Sequence, residues 1–160
     1  MYRDLLNAIV DIIVRTNHMK TSAKTTYIEN FKNHQSYDEK YKRGKNKIDQ
    51  NIEAYLLEQT SKLFDSNAKI LELGVFTGRV NTLIRKHWNE IFVTDVNEEM
   101  IARYENSFIL DLSSACNDVS KFTNRFDLCV SLGHQVSFSC NIDNSFKLVN
   151  NLLKENAYFL

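Results

Sequence analysis

Apolar residues follow one periodicity before about residue 66 and another after it. Before residue 66 they recur at the spacing of one helix face, with Asp49 as a candidate N-cap for the second helix. The two sets are Leu6, Ile9, Val10 and Ile13, then Ile52, Tyr55, Leu56 and Leu63. The polar segment between them, roughly residues 17–48, predicts a loop or a weakly helical lid. We therefore expect a helical N-terminal extension over residues 1–66.

After residue 66 the chain alternates between short apolar runs and helix signals. The runs, which suit buried strands, lie at residues 69–73, 91–94, 107–110, 126–130 and 156–160. Asn97, followed by Glu98 and Glu99, is a good N-cap with acids in the first turn. Phe146, Val149, Leu152 and Leu153 form a later helical stripe. Residues 67–160 therefore predict an α/β fold with a doubly wound, mainly parallel sheet of about five strands.

Composition and charge narrow the function classes. The chain has 160 residues, enough for a sizeable core, and its 20 basic and 20 acidic residues cancel. Zero net charge gives no sign of nucleic acid or an anionic membrane as partner. The apolar run at residues 5–14 is too short to cross a bilayer. Histidines and cysteines show no paired spacing, so we expect no metal and a cytoplasmic protein.

Acidic residues stand at the ends of the first three predicted strands. The first strand runs into a loop that contains Glu72, Gly74 and Gly78, and Asp95 and Asp111 end the next two strands. Glycines let a backbone turn sharply and approach a ligand closely. A carboxylate such as Asp95 presents two acceptor oxygens, which suits a pair of ribose hydroxyls. The pattern predicts a ligand site at the carboxyl edge of the sheet.

Five motifs in succession carry a family resemblance. KILELGVFTGRV, IFVTDVNEEMI, SFILDLSS, FDLCVSLG and LLKENAYFL are together similar to the class I S-adenosylmethionine-dependent methyltransferases, over about residues 68–160. The resemblance implies a Rossmann-like fold and S-adenosyl-L-methionine as cofactor. A nicotinamide or flavin protein would have a G-x-G-x-x-G loop, and the glycine between Gly74 and Gly78 is missing here.

The resemblance also implies a role for each matching residue. Glu72, Gly74 and Gly78 form the loop beside the methionine part of the cofactor. Asp95 holds the ribose hydroxyls, and Val96 lies beside the adenine. Asp111 lies near the adenine amino group, Leu112 supplies a backbone contact, and Ser131 borders the cofactor and substrate pocket.

Each acid also has a purely structural interpretation. Glu72 could cap a turn, Asp95 could cap the following helix, and Asp111 could belong to an ordinary turn with Ser113. His134, after the fourth strand, is a weak candidate for a general base, because a lone histidine in a polar loop usually has no catalytic role.

The residues after the fourth strand bear on the class of methyl acceptor. After the fourth strand it reads SLGHQVSF, without the prolines of amino-methylating DNA enzymes. A small-molecule acceptor is therefore expected, and nucleic acid is an unlikely partner. The basic run KYKRGKNK is read as a solvated loop. The alternative is a non-catalytic, degenerate methyltransferase-fold protein that acts as a binding or partner subunit.

The chain departs from the family pattern in two places. Phe76 replaces the middle glycine of the loop, and its ring either packs away from the pocket or blocks it. The sequence also stops at Leu160, in the fifth strand, whereas the family sheet has seven strands. The chain is therefore expected to be C-terminally truncated. A fifth strand with an open edge could pair with a second copy or another chain.

Overall fold

The computed structural model describes residues 39, 42–114, 117–132, 136, 139 and 141–160. The chain divides into two compact units, Met1–Ser36 and Tyr37–Leu160, and all described residues lie in the second. The helices are α1 (Gly44–Ser61), α2 (Arg79–Ile84), α3 (Glu98–Ile101) and α4 (Ile142–Leu152), with a 3-10 turn at Ser120–Phe122. The strands are β1 (Lys69–Glu72), β2 (Glu90–Asp95), β3 (Ser107–Ile109), β4 (Phe126–Val130) and β5 (Leu153–Phe159).

The described strands form one parallel sheet. Their order is β3-β2-β1-β4-β5, so β1 lies at the centre and pairs with β2 on one side and β4 on the other. The chain first winds outwards from β1 to β3 and then returns to β4, which creates a switch point between β1 and β4. The predicted doubly wound sheet of about five strands is confirmed.

The core has two parts because neighbouring residues of a buried strand face opposite sides of the sheet. Ile70 packs with Leu57 of α1 and with Trp88, whereas Leu71 packs with Phe126 and with residues of α4. Ile70, Leu71 and Phe126 are all 0% exposed. Helix α1 is thus part of this core through Leu57, although the proposed domain boundary at residue 66 stays a prediction.

Two predicted element boundaries are wrong. Helix α1 already begins at Gly44, so Asp49 lies inside the helix and is not its N-cap. Leu153 does not extend the stripe of α4, since it is the first residue of β5. The N-cap of α3 is confirmed, because Asn97 Oδ1 accepts the backbone N–H of Glu99 at 3.0 Å. The predicted helix near residues 5–14 and most of the predicted lid lie outside the described residues.

Strand β5 lies at the edge of the described sheet. Its pairing with β4 shifts register between Phe126 and Leu128, and Asn156 has a φ of 64° in this stretch. Tyr158 and Phe159 are exposed. A second chain at this edge stays a prediction. Over the described part of the chain, no helix combines the length and the apolar character that crossing a bilayer requires.

The centre of the sheet should dominate the stability of the fold. Leu128→Ala should lower the free energy of unfolding by about 2–5 kcal/mol, because Leu128 is fully buried in β4. Ile109→Ala is the control, since Ile109 is 53% exposed on β3 and its truncation should cost less than about 1 kcal/mol. Urea unfolding of both variants measures the difference, and equal losses would contradict the assigned core.

Candidate functional site

The loop between β1 and α2 lies against the end of β2. The Val75 N–H donates to the Thr94 carbonyl at 2.8 Å, and the Gly78 N–H donates to the Val75 carbonyl at 2.8 Å. Gly74 and Gly78 have φ values of 67° and 85°, in the left-handed region that glycine tolerates best. Both glycines therefore turn the backbone within the loop, and their place beside the cofactor stays a prediction.

Phe76 shares the left-handed conformation of these glycines. Its φ is 44°, which is uncommon for a residue with a side chain. Its N–H donates to Asp95 Oδ2 at 3.0 Å, and its carbonyl accepts a hydrogen bond from Arg103 Nη2 at 3.2 Å. The residue is partly buried. The loop thus keeps a glycine-like backbone although it carries a phenylalanine.

Asp95 connects the end of β2 to this loop. It is 3% exposed, and its two oxygens accept the backbone N–H groups of Phe76 and Asn97, each at 3.0 Å. These bonds tie the loop after β1 and the turn after β2 to one buried carboxylate. Val96, the next residue, is 39% exposed. The helix cap itself is Asn97, and Asp95 instead holds the turn that precedes it.

Glu72 lies beneath the loop in a buried polar chain. It is 2% exposed, and its Oε2 accepts a hydrogen bond from Asn81 Nδ2 at 2.7 Å. Asn81 Oδ1 in turn accepts a bond from Arg85 Nε at 2.7 Å. Burial raises the pKa of Glu72 to about 8, although the Asn81 bond and the charges of Arg85 and Arg79 lower it. Glu72 is therefore mostly protonated at neutral pH.

Asp111 lies in a compact turn after β3. Its Oδ1 accepts bonds from the N–H of Ser113 at 2.9 Å and from the Ser113 hydroxyl at 2.5 Å. Asn117 Oδ1 accepts the Asp111 N–H at 3.1 Å, and the Leu112 carbonyl accepts the Ser145 hydroxyl at 3.0 Å. These are the contacts of an ordinary turn, and the adenine contact of Asp111 and Leu112 stays a prediction.

The end of β4 leads to the predicted substrate side. The Ser131 N–H donates to the Leu160 carbonyl at 2.7 Å, so this residue still pairs with the chain beyond β5. Gly133 and His134 lie outside the described residues. Where side chains are described, no group of histidine, cysteine, aspartate and glutamate is arranged to hold a metal.

Several polar residues around the loop were not predicted from the sequence. Arg79, the first residue of α2, forms a two-pronged ion pair with Glu53 of α1, and their side chains are only 9% and 13% exposed. Arg103 and Tyr104 pack over Gly78 from the segment after α3. Arg79 directly follows Gly78 of the loop, and this position in the sequence could have marked it as a residue of the site. Nothing in the local pattern set Glu53 or Arg103 apart from solvated residues.

The close approach of Tyr104 and Arg103 to Gly78 makes Gly78→Ala a specific test. A Cβ at this position would clash with Tyr104 Oη, and its φ of 85° would be strained, at a cost of about 1–2 kcal/mol. Gly44→Ala is a matched control, because Gly44 has a φ of 55° and open space around it. Thermal unfolding should show a larger loss for Gly78→Ala. Equal losses would show that Tyr104 and Arg103 move aside freely.

The buried Glu72 carboxyl should make stability depend on pH. Its pKa is raised from 4.5 to about 8 in the folded chain, so the unfolded chain loses its proton first as pH rises. Stability should therefore fall between these values, by about 1.4 kcal/mol per pH unit. In Glu72→Gln this loss should be absent, whereas exposed Glu105→Gln should behave like the parent. Urea unfolding between pH 5 and pH 8 measures this loss of stability. Parallel curves of stability against pH for Glu72→Gln and the parent would contradict a buried neutral carboxyl.

The fold is similar to three solved structures, two of which are named as S-adenosylmethionine-dependent methyltransferases. A TehB-like S-adenosylmethionine-dependent methyltransferase from Corynebacterium glutamicum has a TM-score of 0.61 at 21% identity, over 81% of this chain and 70% of that one. A proposed S-adenosyl-L-methionine-dependent methyltransferase from Methanococcus maripaludis has a TM-score of 0.58 at 20% identity, over 79% and 60%. The YcgJ protein from Bacillus subtilis has a TM-score of 0.53 at 15% identity, over 68% and 49%.

These similarities establish the architecture. The chain spans between about half and 70% of the length of these three structures. No protein-family model and no curated protein matches the sequence. With β1 central, a glycine loop after it and an acid at the end of β2, the chain has the Rossmann-like fold of the class I S-adenosylmethionine-dependent methyltransferases.

Proposed function

We propose that the protein is an S-adenosylmethionine-dependent methyltransferase that acts on a small-molecule acceptor in the cytoplasm. The observation that carries the proposal is the contact between the Phe76 N–H and Asp95 Oδ2, at 3.0 Å. It brings a glycine loop and a carboxylate together at the carboxyl ends of adjacent strands, where doubly wound sheets bind ligands. The fold similarity to methyltransferases agrees with this assignment.

The residues present fit the nucleoside part of the cofactor. Asp95 places a carboxylate, whose two acceptor oxygens suit two ribose hydroxyls, at the end of β2. Val96 offers an exposed apolar side chain next to it, suited to the face of a base. Gly74 and Gly78 let the backbone pass close to a ligand. The same proposal includes Glu72, Asp111, Leu112 and Ser131 as further residues lining the cofactor site.

When bound, the cofactor supplies a methyl group activated on a sulfonium. The task of this chain is then to hold the nucleoside at Asp95 and to align an acceptor for attack in line. A base is needed only for an acceptor that loses a proton during attack. His134 is the residue we propose for that task. The acceptor is proposed to be a small molecule because the chain has no net charge.

One observation favours the alternative, a non-catalytic binding or partner subunit with this fold. Asp95 is only 3% exposed, and both of its oxygens already hold backbone N–H groups. These bonds stabilise the loop whether or not a ligand is present. A chain that no longer binds the cofactor would keep Asp95 for this reason alone.

Calorimetric titration with S-adenosylmethionine and S-adenosylhomocysteine tests the proposal. Both should bind, and Asp95→Asn should weaken binding about tenfold or more, because the ribose hydroxyls lose a charged acceptor and one of the two backbone N–H groups loses its oxygen partner. Asp65→Asn is a matched control: Asp65 Oδ1 accepts the Asn67 N–H at 2.7 Å in a similar turn, and Asp65 is exposed before β1. The affinity of Asp65→Asn for both ligands should match that of the parent chain. No binding at millimolar ligand would refute the enzyme and favour the partner subunit.

A further inference from the structure

Phe76 adopts a conformation that its side chain disfavours. Its φ is 44°, and it stands in the loop between Gly74 and Gly78, which also have left-handed φ values. A residue with a Cβ pays a steric cost in this region, and it stays there only where its surroundings determine the conformation. The contacts of Phe76 therefore indicate what holds the loop in shape.

Both backbone polar groups of Phe76 are held from outside the loop. Its N–H donates to Asp95 Oδ2 at 3.0 Å, at the end of β2. Its carbonyl accepts from Arg103 Nη2 at 3.2 Å, in the segment that follows α3. Since these groups belong to the two peptide units on either side of the Phe76 Cα, the two bonds together restrain the rotation of the backbone on both sides of Phe76.

Arg103 is itself held in place beside the loop. Its guanidinium carbon lies 5.1 Å from the centroid of the Tyr104 ring, within the range of a cation–π contact. Arg103 Nη2 would lie 3.0 Å from a Cβ built on Gly78. The side chain is thus placed against the loop at Phe76 and at Gly78, although Arg103 as a residue is exposed.

We propose that Arg103 is a positioning residue that, together with Asp95, clamps Phe76 in the left-handed conformation and so maintains the shape of the cofactor loop. The identity of the ligand rests on the proposed function, whereas the clamp concerns this chain alone. A glycine at position 76 would adopt the same conformation without steric cost, so it would not need the clamp. Positions 76 and 103 should therefore be energetically coupled.

A double-mutant cycle tests this coupling. Arg103→Met keeps the length of the side chain but removes its donors. With Phe76 present, Arg103→Met should weaken the binding of S-adenosylhomocysteine about fivefold. This factor corresponds to the free energy of one hydrogen bond. In the Phe76→Gly background the same change should cost less than about twofold. Arg103→Lys, which keeps a donor, should recover part of the affinity. Equal weakening in both backgrounds would overturn the clamp.

A second measurement does not depend on the ligand. The Phe76 N–H is bound to Asp95, so its hydrogen exchange reports on the loop. Arg103→Met should raise its exchange rate about fivefold, whereas Arg43→Met, which changes an exposed arginine before α1, should leave it unchanged. Failure of the parent chain to bind ligand would refute the proposed function only. Unchanged exchange in a folded Arg103→Met chain would refute the clamp.

Discussion

The hydrogen bond from the Phe76 N–H to Asp95 is the contact on which the site depends. It follows from the parallel pairing of β1 and β2, which places the chain beyond Glu72 beside the end of β2. The bond from Val75 to Thr94 continues this pairing into the loop. The loop is therefore an extension of the sheet, and the buried strands at the centre of the core determine its position.

Two buried acids near this loop meet the cost of burial in different ways. Asp95 accepts two backbone N–H groups, which a carboxylate needs when water is excluded. Glu72 accepts a hydrogen bond from the Asn81 side chain, and burial raises its pKa to about 8. A largely protonated Glu72 avoids an unpaired charge beneath the loop. Glu72 thus serves the packing of α2 on β1, while Asp95 holds the loop after β1 and the turn after β2.

The strands could be predicted from the sequence because their apolar runs are distinct. The residues at which helices begin and end were harder to predict. Helix α1 begins among polar residues at Gly44, where no apolar periodicity marks the start. At Leu153 a helix passes directly into a strand without turn residues. Arg103 is a loop residue whose partner Phe76 lies 27 residues earlier, and Asn81 is a helical residue that contacts Glu72 on β1. Their roles depend on tertiary packing, which local patterns do not contain.

The strained conformation of Phe76 gives Asp95 a structural role in addition to its proposed contact with a ligand. In a loop with a glycine at position 76, the bond from that N–H to Asp95 would not have to hold a strained backbone. Here one of its oxygens restrains a phenylalanine in a strained conformation, so the fold itself requires an acceptor at this position. Retention of Asp95 is thus compatible with an enzyme and with a binding subunit. The two differ in whether its carboxylate contacts ribose hydroxyls, which is a property of the ligand complex and not of the loop.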